Sequence, residues 1–275
     1  MSLRNVPLRV SIPLLVLLVW VGVVLLVPVL PLDPESINLQ RILQGPQWTG
    51  WLGYDDLGRS VLDRVVEGGQ TSLIVALLVV GITALTGTFI GLVSGYVGGV
   101  VDLLIMRIVD VFLAFPGILL AIALAAVLGP GIDNVVFALS VVGWVGYARL
   151  ARAQVLSLKS RDHVAAAVAL GVGRIPLMLR HLLPLMMAPL IVEATFGFAS
   201  VVIAEAGLSF LGLGVQPPEA SWGSMIRDGA RYLLMAPHLV IAPGIALMLV
   251  VLCVNLLGDS LRDALDVRAT PSRNE

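Results

Sequence analysis

Six blocks of apolar residues, each bounded by proline, glycine or charge, divide the chain: Ser11 to Pro31, Thr71 to Val93, Leu103 to Leu128, Val135 to Leu156, Leu185 to Leu211 and Pro237 to Leu257. A helix that crosses a bilayer core needs about 20 mostly apolar residues, and every block meets that length. The pattern predicts an all-α, polytopic integral membrane protein with six transmembrane helices. The first block follows Arg4 and Arg9, is too long and too rich in Val and Leu for a cleaved signal, and has no small-residue cleavage site after it, so it reads as a retained anchor. Gly129, Pro130 and Gly131 break the chain between the third and fourth blocks, and Gly258 ends the sixth. Phe115 and Pro116 predict a kink in the third, a hinge or a packing feature, because proline lacks an N–H and crowds the preceding turn.

An even number of spans puts both termini on one side of the membrane, and the basic residues choose the side. With the N-terminus inside, cytoplasmic ends and loops hold Arg4, Arg9, Arg107, Arg149, Arg152, Lys159, Arg161, Arg174, Arg180, Arg262, Arg268 and Arg273 of the 17 basic residues. Arg41, Arg59, Arg64, Arg227 and Arg231 remain outside. The loop between the fourth and fifth spans is therefore expected in the cytoplasm. Two outer segments, Leu32 to Gln70 and Gly212 to Ala236, are long enough for structure of their own. Their Trp48, Trp51 and Trp222 suit interfacial anchoring or a lid over a pore mouth.

Composition excludes several function classes. At 58% hydrophobic, 13% charged and a mean hydropathy of +1.00, the chain is far from a soluble domain. A net charge of -1 supplies no basic excess to neutralise a nucleic acid. Lys159 is the single lysine and no glycine-rich phosphate loop precedes it, so nucleotide hydrolysis by that route is excluded. Cys253 stands alone in an apolar run, and His163, His181 and His238 are spaced unlike metal ligands. No defensible catalytic triad or carboxylate pair exists, and no internal repeat suggests a transporter folded from inverted halves.

The chemistry-bearing positions are few. Gly87, Gly91 and Gly95 recur every four residues and form one small-residue stripe that permits close helix contact. Arg107 and Asp110, three apart, share a helix face and can pair; a fixed pair lowers the cost of burying either charge, and a gate contact is the sharper alternative. Glu193 and Glu205 lie in or near the fifth span without an evident cationic partner. Intramembrane carboxylates point to a substrate or proton path, although Glu205 stands near enough to the outer boundary to reach water or a loop amide.

The loop from Leu156 to Pro184 reads LSLKSRDHVAAAVALGVGRIPLMLRHLLP. Asp162 is placed to cap a helix, and Ala165, Ala166, Ala167 and Ala169 are strong helix formers. Gly171 sits where that helix would close in a left-handed turn before Arg174. Small side chains admit another protein close to the backbone, so the helix reads as a docking element; the other reading is an amphipathic helix lying on the membrane.

This loop resembles the EAA motif of permease subunits from binding-protein-dependent ABC importers. Ala166, Ala167 and Gly171 match its two alanines and glycine, and Leu183 and Pro184 match its closing LP; Ala165 stands where the family has Glu. Further blocks are similar to the C-type permeases of dipeptide, oligopeptide and nickel importers: GYDDLGRSVLDRV from Gly53, MRIVDVFLAFPGILLA from Met106, GWVGYARLARAQVLSL from Gly143, AEAGLSFLGLGVQPPEASWGSMIRDG from Ala204 and NLLGDSLRDALDVR from Asn255. Tyr54, Ser60 and Val267 depart from the family's usual Thr, Asp and Pro.

The resemblance implies a type I ABC importer permease fold: an anchor helix and extracytoplasmic segment in 1–70, and a transmembrane domain in 71–270 with a cytoplasmic coupling loop over 157–184. It implies a non-catalytic inner-membrane subunit that pairs with a homologous permease, two cytoplasmic ATPase subunits and an extracytoplasmic solute-binding protein. ATP and Mg would be held by the ATPases, with no cofactor or metal on this chain. Peptides or a related small solute are the implied cargo, with nickel or a metal chelate as the alternative. An ion-coupled secondary transporter built on Asp110, Glu193 and Glu205 is the rival from another class.

Overall fold

A computed structural model describes residues 8–48 and 50–265. Arg4, Arg268 and Arg273 from the charge count, and Val267, lie outside the described residues. Among the described residues ten α-helices follow one another: α1 (Leu8–Leu26), α2 (Val61–Val97), α3 (Gly99–Leu113), α4 (Gly117–Leu128), α5 (Ile132–Leu158), α6 (Asp162–Ala169), α7 (Arg174–Pro176), α8 (Leu183–Phe210), α9 (Trp222–Ala230) and α10 (His238–Leu265). Five of these elements are long and apolar enough to cross a membrane, and the bent pair α3 and α4 makes a sixth.

Helix α2 starts at Val61 and not at Thr71, because the preceding polar residues cap it. The Ser60 hydroxyl accepts the Asp63 N–H at 3.3 Å, and Asp63 places negative charge on the positive end of the helix. At about 1.5 Å per residue, the 37 residues of α2 reach well beyond a hydrocarbon core of about 30 Å, so its first turns stand clear of the apolar layer.

The glycine stripe of α2 lies against α5. A Cβ on Gly87 would stand 2.3 Å from the Trp144 carbonyl oxygen, one on Gly91 2.2 Å from that of Ala148, and one on Gly95 2.9 Å from Val155 Cβ. Only hydrogen fits at such an approach, which makes α2 and α5 one close-packed pair. Helix α8 packs on both, α10 packs on α8, and α1 rests on α10. Trp20 of α1 meets Phe198 edge-on at 6.4 Å and Trp222 at 6.0 Å.

Proline produces the two irregular features. The expected kink at Pro116 is a full break: α3 and α4 meet at 83° across Ala114, Phe115 and Pro116. Before α8 the chain widens into a π-helical stretch, Leu177–Leu182, in which the Leu183 N–H reaches back to the Met178 carbonyl. Pro184 supplies no N–H, and the wider turn relieves its clash with the preceding carbonyls.

Candidate functional site

The first candidate site is α6, where the bundle's long helices α5 and α8 are joined. Arg161 occupies the N-cap and Asp162 is the first helical residue, with no side-chain capping bond; the expected Asp162 cap is not made. Asp162 instead places its charge in the first turn, on the favourable end of the helix. Val164 and Ala167 are buried, joining a core with Leu158, Leu177 and Leu182. Ala165, Ala166 and Ala169 face outward, beside Val168 and Leu170, the last 85% exposed. Of the two alanines matched to the motif, Ala167 therefore anchors the helix and Ala166 is presented.

Gly171 closes α6 as the glycine pattern predicts. Its φ is +79°, the Gly171 N–H reaches the Val168 carbonyl at 3.0 Å, and the Val172 N–H reaches that of Ala167 at 3.1 Å. Those two bonds form a Schellman closure, which saturates the last carbonyls and turns the chain sharply. Arg174 then opens α7 as an exposed side chain, and Leu183 and Pro184 begin α8.

The intramembrane charges separate into different environments. Arg107 and Asp110 approach at 3.7 Å but are 74% and 62% exposed, so they are not the buried pair expected of them. The bidentate pair lies elsewhere: Arg152 Nε donates to Asp102 Oδ1 at 2.5 Å and Nη2 to Oδ2 at 2.6 Å. Fifty residues separate those partners, and no local spacing exposes them.

Glu193 and Glu205 share α8 yet turn to different sides, because twelve residues is not a whole number of helical turns. Glu193 is half-buried, its Oε1 3.4 Å from where a Cβ on Gly146 of α5 would stand. Ser200 and Gly207 follow it at seven-residue steps on the same face and line an apolar groove of ≈ 560 Å³ with Gly117, Ala121, Gly143 and Ala204. Glu205 is 1% exposed; it is bonded by the Ser72 hydroxyl of α2 at 3.0 Å and the Ser209 hydroxyl at 2.8 Å, and the Ser221 hydroxyl before α9 is a third partner, so it reaches the outer segment through a hydroxyl and not an amide. Substituting Glu205 by leucine is expected to cost about 1–3 kcal/mol by stranding these hydroxyls, whereas glutamine retains an acceptor and most of the stability. Thermal unfolding in detergent measures this, and a leucine variant as stable as the parent would contradict it.

At the opposite end of the bundle the two outer segments fold into one cap. Asp55 accepts the Leu57 and Arg59 N–H groups, each at 2.9 Å, and pairs with Arg59 Nε at 2.7 Å. Arg64, 5% exposed, stands 3.6 Å from the same carboxylate and donates to the Pro218 carbonyl at 3.2 Å and the Pro34 carbonyl at 3.4 Å. One guanidinium thus bridges both outer segments to the first turn of α2. Trp222 is buried at 1% exposure, with its Nε1 donating to the Val65 carbonyl at 2.8 Å, so it is a core residue and not an interfacial one. Trp48 and Trp51 remain exposed at 97% and 72%. The hidden signal for this cap was the Asp55 to Arg59 spacing inside the GYDDLGRSVLDRV block, where an Asp side chain can bond its own backbone a few residues on.

Removing the Arg64 bridge by Arg64→Met is expected to leave Asp55 with Arg59 alone and to loosen the cap. Limited proteolysis of the outer segments should then run at least about fivefold faster, corresponding to roughly 1 kcal/mol of lost local stability. Unchanged cleavage would show that Arg64 carries no share of it.

Residues 87–271 match the family described as binding-protein-dependent transport system inner membrane component. The chain belongs to that family. It is 44% identical over 229 residues to the dipeptide transport system permease protein DppC of Alkalihalophilus pseudofirmus, covering 83% of this chain and 75% of the relative. The di/tripeptide transport system permease protein DppC of Pseudomonas aeruginosa is 43% identical over 244 residues, with 86% and 80% covered. The glutathione transport system permease protein GsiD of Pectobacterium atrosepticum is 41% identical over 238 residues, with 86% and 79% covered.

A chain of the inward-facing MetNI methionine ABC transporter superposes with a TM-score of 0.60 at 18% identity, covering 74% of this chain and 96% of that one. The architecture is accordingly the all-helical type I importer permease fold, and the protein is a multi-pass inner-membrane permease subunit. Membership of a transport family that depends on a binding protein does not favour the ion-coupled secondary transporter.

Proposed function

We propose that this permease forms, with a homologous second permease, the translocation path of an ATP-driven importer of short peptides. Two cytoplasmic ATPase subunits dock on the α6 loops, and an extracytoplasmic solute-binding protein delivers cargo to the α9 end. ATP and Mg belong to the ATPases, and no step of hydrolysis falls to this chain. Peptide cargo rests on the relatives, which are named as transport permeases for dipeptides, di/tripeptides and glutathione. Nickel has no counterpart among those functions.

The observation that carries the reading is the outward face of α6. Small and apolar groups stand exposed on a helix whose other face is locked into the core and whose end is fixed by Gly171. An exposed apolar face on a short, rigid element is the geometry of a protein contact. The site residues divide accordingly: Ala165, Ala166, Gly171 and Arg174 meet the ATPase; Ala167 and Leu183 join the core that holds α6 against the Leu177–Leu182 stretch, and Pro184 shapes the start of α8; Asp162 stabilises the first turn of α6; Glu193 lines the path. Arg107 and Asp110 flank that path as exposed charges, and Glu205 supports the outer half of α8. Residues 71–270 form the transport domain, with residues 1–70 as anchor and outer segment, although α2 runs across that boundary.

The basic residues of the α5 to α8 loop support an orientation with α6 and both termini in the cytoplasm. Closure of the ATPases would push α6, and the rigid helices α5 and α8 would carry the displacement to the groove beside Glu193. The test is purification of the tagged chain in mild detergent from its native locus, followed by peptide uptake into proteoliposomes. Copurifying ATPases, a second permease and uptake that requires ATP support the reading. A chain that purifies alone and transports without ATP overturns it.

A further inference from the structure

The segment α3 is held by few side chains, among them Phe112, whose ring meets that of Trp144 of α5 edge-on at 5.6 Å. Val109 is buried, but Val100, Leu103, Leu104, Ile108 and Val111 stand 53–71% open to the surroundings. Both ends of α3 are joints: Gly98 and Gly99 at φ +68° and +57°, and the 83° break before Pro116. A helix with little packing between two joints takes its direction from whatever polar contact fixes it.

That contact is Asp102, in the first turn of α3. Its carboxylate receives the two-pronged Arg152 guanidinium of α5 and the Ser94 hydroxyl of α2 at 2.5 Å. Ser94 is fully buried, and the two charged side chains are 17% and 31% exposed. A bidentate, partly desolvated pair of this kind fixes angle as well as distance. Lys159, at the end of α5, makes a second tie by donating to the Gly95 carbonyl of α2 at 3.2 Å. Because the glycine stripe makes α2 and α5 one body, Asp102 fastens α3 to that body. The same α5 runs on to Leu158 and, after three intervening residues, into α6.

We propose that Asp102, Arg152 and Ser94 form a positioning latch that makes the broken span α3 and α4 follow α5, and hence α6, during transport. The transport part rests on the importer reading above; the latch itself does not. The latch residues touch no cargo: they set where α4 stands beside the groove that Gly117 and Ala121 line. Breaking the latch leaves α6 able to receive its partner while the far half of the span no longer follows.

The experiment compares wild type, Asp102→Asn, Arg152→Gln, Ser94→Ala and the double exchange Asp102→Arg with Arg152→Asp, each as the full complex in proteoliposomes. ATP hydrolysed and peptide transported are measured on the same vesicles. The single charge variants are expected to hydrolyse ATP while peptide moved per ATP falls about fivefold or more, a coupling loss of ordinary allosteric size. The double exchange is expected to recover part of that ratio. A merely structural role would lower both activities together and leave the ratio unchanged, which would overturn the proposal.

Spin labels at Leu104→Cys on α3 and Phe137→Cys on α5, in a Cys253→Ser background, give a second readout on the full chain alone. A narrow distance distribution should broaden in Asp102→Asn, and an unchanged width would also overturn the latch. Should no ATPase copurify, the importer reading fails, yet this width still decides the latch by itself.

Discussion

Replacing Gly171 with aspartate is expected to strip the ATPase subunits from the purified complex and to abolish transport, while the chain itself still folds into the membrane. Gly171 sits at φ +79°, where an L side chain costs roughly 1–2 kcal/mol, enough to loosen the last turn of α6 and misdirect the helix. No atom lies within 4 Å of a Cβ at this position, so nothing in the chain resists the new side chain and the carboxylate projects outward. It follows Leu170 directly, at the exposed end of the helix assigned to the partner. A desolvated, unpaired charge at such a contact costs several kcal/mol, which exceeds the strain term.

Gly171→Ala separates the two contributions, since it adds the backbone strain without the charge. Its expected result is a partial loss of ATPase, on the order of tenfold in affinity for about 1.4 kcal/mol. Quantitative mass spectrometry of the copurified subunits reads both variants. An aspartate variant that retains its ATPases at the wild-type ratio would remove α6 as the docking element.

How much of this arrangement was legible beforehand depended on whether the signal was local. Gly171 was readable because a closing glycine after four helix formers states its own conformation within one turn. The glycine stripe of α2 was readable for the same reason, since a period of four residues already places three glycines on one face. Even so, the stripe did not name its partner, and only the fold puts Trp144, Ala148 and Val155 opposite it.

Pairings across the fold were illegible. Arg107 and Asp110 drew attention because they are three residues apart, and they turned out exposed; Asp102 and Arg152, separated by most of a hairpin, make the tight pair instead. A similar fault moved Trp222 from the interface to the core. Amphipathic aromatics at the end of a span favour the interface in general, but here Gly68 and Gly69 of α2 leave room for the ring, and a Cβ on Gly68 would meet it at 3.0 Å. Glu205 stands out in the sequence as an unusual intramembrane carboxylate, yet its partners come from α2, from one turn further along α8 and from Ser221 before α9. Short-range pattern thus reveals which residue is exceptional, and tertiary packing decides what it touches.

The largest effect on the fold is expected from Gly91→Leu. A Cβ there would stand 2.2 Å from the Ala148 carbonyl oxygen and 2.7 Å from Ala151 Cβ. The first contact is with backbone, so no rotamer change relieves it, and α2 and α5 must separate. Inserting one or a few methylenes into a packed interior costs about 1–3 kcal/mol even when side chains can shift. Here separation also breaks the contacts at Gly87 and Gly95 and pulls apart Ser94 and Arg152, whose shared carboxylate depends on that spacing. The variant is therefore expected to accumulate little or no monodisperse protein in detergent. Gly81→Leu is the matched control, because it lies on the same helix with nothing within 4 Å of its Cβ and adds the same apolar bulk. Fluorescence-detected size exclusion after a heating series compares them. If Gly91→Leu melts with the control, the close approach of α2 and α5 does not hold the bundle together, and the shared motion attributed to that pair loses its basis.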